Sequence, residues 1–327
     1  MLHNVDEDTI SLSNITFKVN LTLIVIGVID NLLCIHVYLQ KPMKKIQFNW
    51  YLLILAIVEL IFCLILLADY LFRFLNIESK FLHDLNAPSY TSIDFSLHLI
   101  DSFVTALTLI LSFDRLYAIR HSNEVKKFFS LFHKKLLILI TLVTLFFLKL
   151  PSLLICYNSE TCENKFKITF CTLISPLFMN IIPALIIVVI NLKVVVEVIK
   201  YSKNLSKERK LLMKSRLSTD FNVNVCRRNT QFQLVVQTRK LTVEPLCRTQ
   251  KSHYFLIIIL GLWLVLTIIP YYTLHIFDIL FSADKHQIYK MLILSSIFFN
   301  SNHCINFFIY FIFNSEFRKC LQKLFKC

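Results

Sequence analysis

Seven runs of about twenty apolar residues, separated by polar connectors, constrain this chain more than any other feature. A run of that length, wound as an α-helix, spans the roughly 30 Å of hydrocarbon in a bilayer. Inside lipid only a helix or a closed barrel satisfies its own backbone. A barrel needs short alternating strands joined by many turns, and 2 glycines in 327 residues cannot supply them. Helices are therefore expected at about 20–40, 48–74, 90–119, 134–157, 167–200, 252–281 and 286–313, with a short amphipathic helix at 315–326. Composition agrees, since 56% of residues are hydrophobic and 17% charged, against about a quarter charged in soluble domains. The fold class is an all-α membrane protein, a seven-helix bundle.

The connectors are basic on one side only. The first carries Lys41, Lys44 and Lys45, and the third carries Arg120, Lys126, Lys127, Lys134 and Lys135. The long one at 200–251 is the most basic stretch, and the alternate connectors are close to neutral. Short flanks rich in Lys and Arg stay cytoplasmic. The N-terminus is thus expected outside the cell and the C-terminus, with Arg318, Lys319, Lys323 and Lys326, inside. A net charge of +14 would point to nucleic acid in a soluble protein. Here its placement assigns it to membrane topology, so the bilayer is the expected partner and nucleic acid is not. The first eighteen residues are polar and include Asp6, Glu7 and Asp8, which leaves the first span to act as signal anchor. The chain divides into an extracellular N-terminus at 1–19, a seven-span domain at 20–313 and a cytoplasmic tail at 314–327.

Smaller signals fit this plan. Asn14-Ile15-Thr16 is a glycosylation sequon on the side assigned as external. Pro151, Pro176, Pro183 and Pro270 lie inside or at the ends of spans, where each removes a helical hydrogen bond; whether the kinks open pockets or only tune packing stays open. The ten cysteines show neither CxxC spacing nor a Cys/His cluster, so neither a metal nor a cofactor is expected. Cys156, Cys162 and Cys171 fall near the outer side, where a disulfide can persist.

The third span ends Ser112-Phe113-Asp114-Arg115-Leu116-Tyr117-Ala118-Ile119, which resembles the DRY-x-A-I signature of rhodopsin-like (class A) G-protein-coupled receptors. Other signatures follow in register. Asp30-Asn31 looks like the family's Gly-Asn, and the stretch from Asn49 to Glu59 is similar to N-x-x-L-L-x-x-L-A-x-x-D with Glu for Asp. The last span reads Asn302-His303-Cys304-Ile305-Asn306-Phe307-Phe308-Ile309-Tyr310, like N-x-x-x-N-P-x-x-Y with Phe307 for Pro. Glu316-Phe317-Arg318 resembles the start of the family's eighth helix. The chain also departs from the pattern. The outer third-span cysteine would fall near Tyr90, and no cysteine lies between Cys63 and Cys156, so Cys156–Cys162 or Cys162–Cys171 is the substitute bridge left open. The sixth span reads Thr267-Ile268-Ile269-Pro270 in place of C-W-x-P, and Asn191 holds the fifth-span tyrosine position.

The resemblance implies several sites. Asp114 and Arg115, with Asn306 and Tyr310, would form the G-protein switch; the family's acidic partner on the sixth span reads Gln250, which implies basal activity. Asn31, Glu59, Asn302 and Asn306 would converge as a buried polar cluster. A mid-membrane ionisable group needs such partners. With Val104 at the third-span hydroxyl position, a protonated Glu59 bonded to the asparagines is favoured over a full sodium site. Asp94, His98 and Asp101 share one face of the third span. With Lys149, Tyr271, Tyr272, His275 and Asp278 they would line a ligand pocket, or Lys149 would simply pair with Asp101. Leu97 at the amine-binding position argues against a biogenic amine, and Asn300 at the retinal-lysine position against a Schiff base. Cys320 and Cys327 in the basic tail are candidates for palmitoylation, and an unmodified state stays open.

The expected function is a receptor, not an enzyme, at the plasma membrane. It would carry an extracellular ligand's signal to a heterotrimeric G protein, with an invertebrate-type neuropeptide as first choice. A chemosensory receptor for a small molecule is the alternative within the fold, and a transporter or channel, with Glu59 and Asp101 lining an ion path, is the one outside it. The lack of an internal repeat counts against a transporter.

Overall fold

The computed structural model describes residues 7–44, 46, 48–76, 86–120, 131–157, 175–220, 254–277 and 285–325. Every long apolar run becomes a helix within these limits. In chain order they are α1 (Glu7–Tyr38), α2 (Asn49–Asn76), α3 (Asn86–Arg120), α4 (Leu131–Tyr157), α5 (Ile182–Asp220), α6 (Tyr254–Phe277), α7 (Lys285–Asn302), α8 (Asn306–Phe313) and α9 (Ser315–Leu324). A single helical turn at Lys41–Lys44 joins α1 to α2. Among the described residues α1, α2, α3, α5 and α6 are each long and apolar enough to cross a membrane, and α7 with α8, bent by 49°, make a further span. The remaining long helix, α4, has 27 residues, and its run from Leu136 to Leu148 is interrupted only by Thr141 and Thr144. Seven spans result.

Packing shows which solvent the bundle is built for. On α4 the large side chains point outward, with Leu139 57% and Phe147 63% exposed, while Lys134, Ile138, Leu145 and Lys149 form its buried face. That is the reverse of a soluble helix, whose lysines would face out. Buried Asn31, Glu59, Asp101, Asp114, Asn180, Asn191, His303 and Asn306 continue the polar interior on the other helices. α3 is central and touches α2, α4 and α5, while α1 lies against α2 and α7.

Both glycines sit where helices approach most closely. A Cβ on Gly27 of α1 would stand 2.6 Å from Cys304 Sγ and 2.9 Å from Cys63 Sγ. A Cβ on Gly261 of α6 would collide with the Asn191 amide and lie 2.9 Å from Ile187 Cγ2, both on α5. Small residues at such crossings let backbones approach, the packing mode available where lipid removes any hydrophobic drive between helices.

Three differences from the sequence expectation have physical causes. α1 begins at Glu7, not near residue 20, and around that expected start its side chains find partners: Phe17 stacks on Tyr70 at 5.0 Å, and Asn20 Nδ2 donates to Ser296 Oγ at 3.0 Å. α5 is preceded by a π turn at Leu177–Ile181. Pro183 has no N–H for the carbonyl four residues back, and its ring crowds that carbonyl, so the chain widens there. α5 then runs on to Asp220, well past the lipid. The last span breaks at His303–Ile305 without a proline. Asn31 Nδ2 donates to the His303 carbonyl at 2.9 Å, and Cys304 Sγ reaches the Asn300 and Leu23 carbonyls at 3.3 and 3.0 Å. Side chains thus satisfy backbone groups that a regular helix would have bonded.

The final helix turns away from the bundle axis on a cap. Asn314 Oδ1 accepts from the Glu316 and Phe317 amides, each at 3.1 Å, and Glu316 in the first turn complements the helix dipole. Arg318 donates back to the carbonyls of Phe311 and Ile312 at 2.8 and 2.6 Å, closing the end of α8. Phe317, Cys320 and Leu321 form the buried face of α9, with Phe317 against Tyr38, Phe307 and Tyr310.

Candidate functional site

Polar residues gather in three groups inside the bundle, two of them built on α3. The first group is Asp101, which has no exposed surface. Its Oδ2 accepts from the Tyr272 hydroxyl of α6 at 2.6 Å, and that hydroxyl lies 3.3 Å from His98 Nδ1, one turn up α3. Asp101 Oδ1 stands 3.8 Å from His303 Nε2, too long for a direct hydrogen bond. Lys149, buried on α4, acts electrostatically on the same carboxylate. Asp101 therefore has its partners inside the protein. Around it Tyr271 stacks on Phe299 at 4.3 Å and meets His275 edge-on at 5.3 Å.

The second group surrounds the break in the last span. Glu59 of α2 is buried and accepts a hydrogen bond from Asn306 Nδ2 of α8. Asn31 donates to the Gly27 carbonyl within α1 as well as to His303, each at 2.9 Å. Asn302 is buried beside the break, and its Nδ2 has no hydrogen-bond partner among the described residues. His303 is the connecting residue. Its carbonyl takes the Asn31 amide, and its ring stacks on Phe62 at 3.7 Å and turns toward Asp101. His303 thus belongs to the second group through its carbonyl and faces Asp101 of the first across 3.8 Å.

The third group closes the far end of α3. Arg115 Nη2 lies 2.7 Å from Asp114 Oδ2, and the guanidinium sits over the Phe48 ring at 4.3 Å. Asp114 Oδ1 also meets Lys134 Nζ of α4 at 2.9 Å. α6 contains no acidic residue at all between Tyr254 and Phe277, so no carboxylate of that helix holds Arg115. One turn on, Arg120 pairs with Glu197 of α5 at 3.1 Å. Tyr310 does not join this group. It is buried on the Tyr38 ring at 5.5 Å and near Phe317.

Of the residues singled out in the sequence, the structure brings together His98, Asp101 and Tyr272, then Glu59 and Asn306, then Asp114 and Arg115. Asn14 is exposed on the first turns of α1, and Cys320 is 2% exposed on the inner face of α9. Asp278, Cys162, Cys171 and Cys327, with the side chains of Asp94 and Cys156, lie outside the described residues. Sequence reasoning missed two members. His303 stood at an unconstrained position of the last-span motif, and Lys134 was counted only as a flanking charge. The signal for Lys134 was present in its spacing with Ile138, Leu145 and Lys149, which places all four on one helical face.

Comparison with known families adds an independent finding. A family model described as 7 transmembrane receptor (rhodopsin family) matches residues 30–310, from Asp30 to Tyr310. All three polar groups apart from Gly27 fall inside that stretch. A search of curated proteins gives no match.

Proposed function

Because the chain belongs to the rhodopsin family of seven-transmembrane receptors, we propose that it carries the signal of an extracellular ligand, a neuropeptide in first place, to a heterotrimeric G protein. The membership makes it a membrane receptor and not an enzyme, and displaces the transporter or channel reading. The observation that carries the coupling proposal is the Arg115–Asp114 pair at the end of α3, bonded at 2.7 Å and free of any acidic residue from α6. Among the described residues that cation has one acidic partner, Asp114, and rests on the Phe48 ring, which leaves it available to a docking partner. The basic connectors on the same side support an orientation with this end in the cytoplasm and the N-terminus outside, at the plasma membrane.

The ligand assignment rests on what Asp101 is already doing. Its charge is engaged by Tyr272 and by Lys149, so it offers little to a cationic small molecule. Recognition then moves toward the mouth of the bundle, to His98, Tyr271 and the exposed His275, where a peptide reaches more readily than a small amine. Binding there would alter the Tyr272–Asp101 contact, and His303 would pass the change to the Glu59–Asn306 pair.

The test is a cell assay with a panel of G proteins and a peptide library. Ligand-evoked nucleotide exchange that Arg115→Ala abolishes, with surface expression kept, is the expected result. Ion current in place of exchange, or a response untouched by Arg115→Ala, overturns the proposal. Activation by small volatile or amine compounds alone would replace the peptide with a chemosensory ligand.

A further inference from the structure

Asp114 has two cations, one for each oxygen. Arg115 Nη2 is 2.7 Å from Oδ2, and Lys134 Nζ is 2.9 Å from Oδ1. Lys134 comes from a different helix, yet its side chain is as buried as the aspartate, each 2% exposed, while Arg115 is 14% exposed. Lys134 also lies over the Tyr51 ring at 5.1 Å, as Arg115 lies over Phe48. Two positive charges thus share one negative charge within an aromatic cage. In a cluster of only two members, departure of the arginine would strand a buried carboxylate, which is strongly unfavourable. With Lys134 in place, Asp114 keeps a partner and the remaining pair is neutral.

We infer that Lys134 is the resident counterion of Asp114, a positioning residue that lets Arg115 leave the pair without stranding the carboxylate. The inference rests on the proposed function in taking Arg115 as the group that moves to a partner. Lys134 competes with Arg115 for the same carboxylate, which weakens the hold on Arg115 at rest. It then stays behind when Arg115 goes. With no acidic residue on α6 to restrain Arg115 from the other side, the competition sets how readily the arginine is released.

The test uses purified full-length receptor in nanodiscs and two readouts. In thermal unfolding, Arg115→Met and Lys134→Met are each expected to lower the midpoint modestly. The double variant should lower it by far more than their sum, because only then is Asp114 unpaired. Adding Asp114→Asn to the double variant should restore the midpoint, and Lys134→Arg should keep it. Additive losses, or no rescue by Asp114→Asn, overturn the inference. If the double variant does not fold, a folded triple variant supports the inference and an unfolded one overturns it. In nucleotide exchange by unliganded receptor, Lys134→Met should reduce the basal rate about tenfold. It should have no such effect in the Asp114→Asn background, and a raised basal rate overturns the inference. Should no G protein respond to the wild type, it is the coupling proposal that fails, and the unfolding cycle still decides the role of Lys134.

Discussion

Asp101 illustrates how a membrane interior treats a charge. The residue is fully buried, and one strong bond from Tyr272 carries much of what water would otherwise supply. Losing a partner of a buried polar group costs about 1–3 kcal/mol, and more for a charged one. Tyr272→Phe is therefore expected to lower the unfolding midpoint by an amount corresponding to at least about 1 kcal/mol, measured by thermal denaturation in detergent. Pairing it with Asp101→Asn should recover part of the loss, since the charge that needed the hydroxyl is gone. A Tyr272→Phe receptor as stable as the wild type would mean that the 2.6 Å contact is not what holds Asp101. His303 obeys the same logic from the other side. Among the described residues its ring nitrogens have no hydrogen-bond partner, and its ring contacts with Phe62 and Phe299 set its direction.

At the scale of helices, the two glycines and the caps decide where elements meet and stop. Gly27 lets α1 approach α2 and the break between α7 and α8, where Cys63 and Cys304 present their sulfur atoms. A methyl group 2.6 Å from Cys304 Sγ and 2.9 Å from Cys63 Sγ forces these side chains or the backbones behind them to shift, and overpacking of this kind costs about 1–3 kcal/mol. Gly27→Ala should therefore destabilise the receptor in spite of alanine's better helix propensity. Combining it with Cys304→Ala and Cys63→Ala removes both sulfur atoms and should return most of the stability, as read by thermal unfolding. For α9, Asn314→Ala deletes the side chain that caps two amides and should cost about 1 kcal/mol of helix stability. Hydrogen exchange at Glu316 and Phe317 would report it as faster amide exchange, with the spans unchanged. Burial of Cys320 on that helix pushes its thiol up from the ordinary value, and acylation there requires α9 to lift first.

For the molecule as a whole, the weak restraint on Arg115 predicts signalling without ligand. Basal nucleotide exchange should rise in proportion to receptor expression, and a baseline that stays flat across expression levels would count against it. How much of this was legible beforehand follows from the physics of each feature. Run length and the side bias of Lys and Arg are local quantities, so the spans could be read directly. The Asp114–Arg115 neighbours and the spacing of His98 and Asp101 are local as well. The meeting of Asp101 with Tyr272, and of Glu59 with Asn306, needed the register of separate helices, which only the family resemblance supplied. The face of α4 that carries Lys134 was written in its spacing with Ile138, Leu145 and Lys149, but its meeting with Asp114 of α3 was not. His303 escaped because the place where the last span bends is not written in a single segment. The first part of the polar connector, Lys207 to Met213, is expected from the sequence to extend the fifth helix; only its continuation to Asp220 was hidden by the polarity of the residues. After Glu197, which meets Arg120 at the end of α3, the residues to Asp220 carry α5 roughly 35 Å further at about 1.5 Å each. An arm of that length magnifies rotation: tilting it by about 10° at its root sweeps its tip through roughly 6 Å, so a displacement too small to notice inside the bundle becomes a large movement where a partner would touch it.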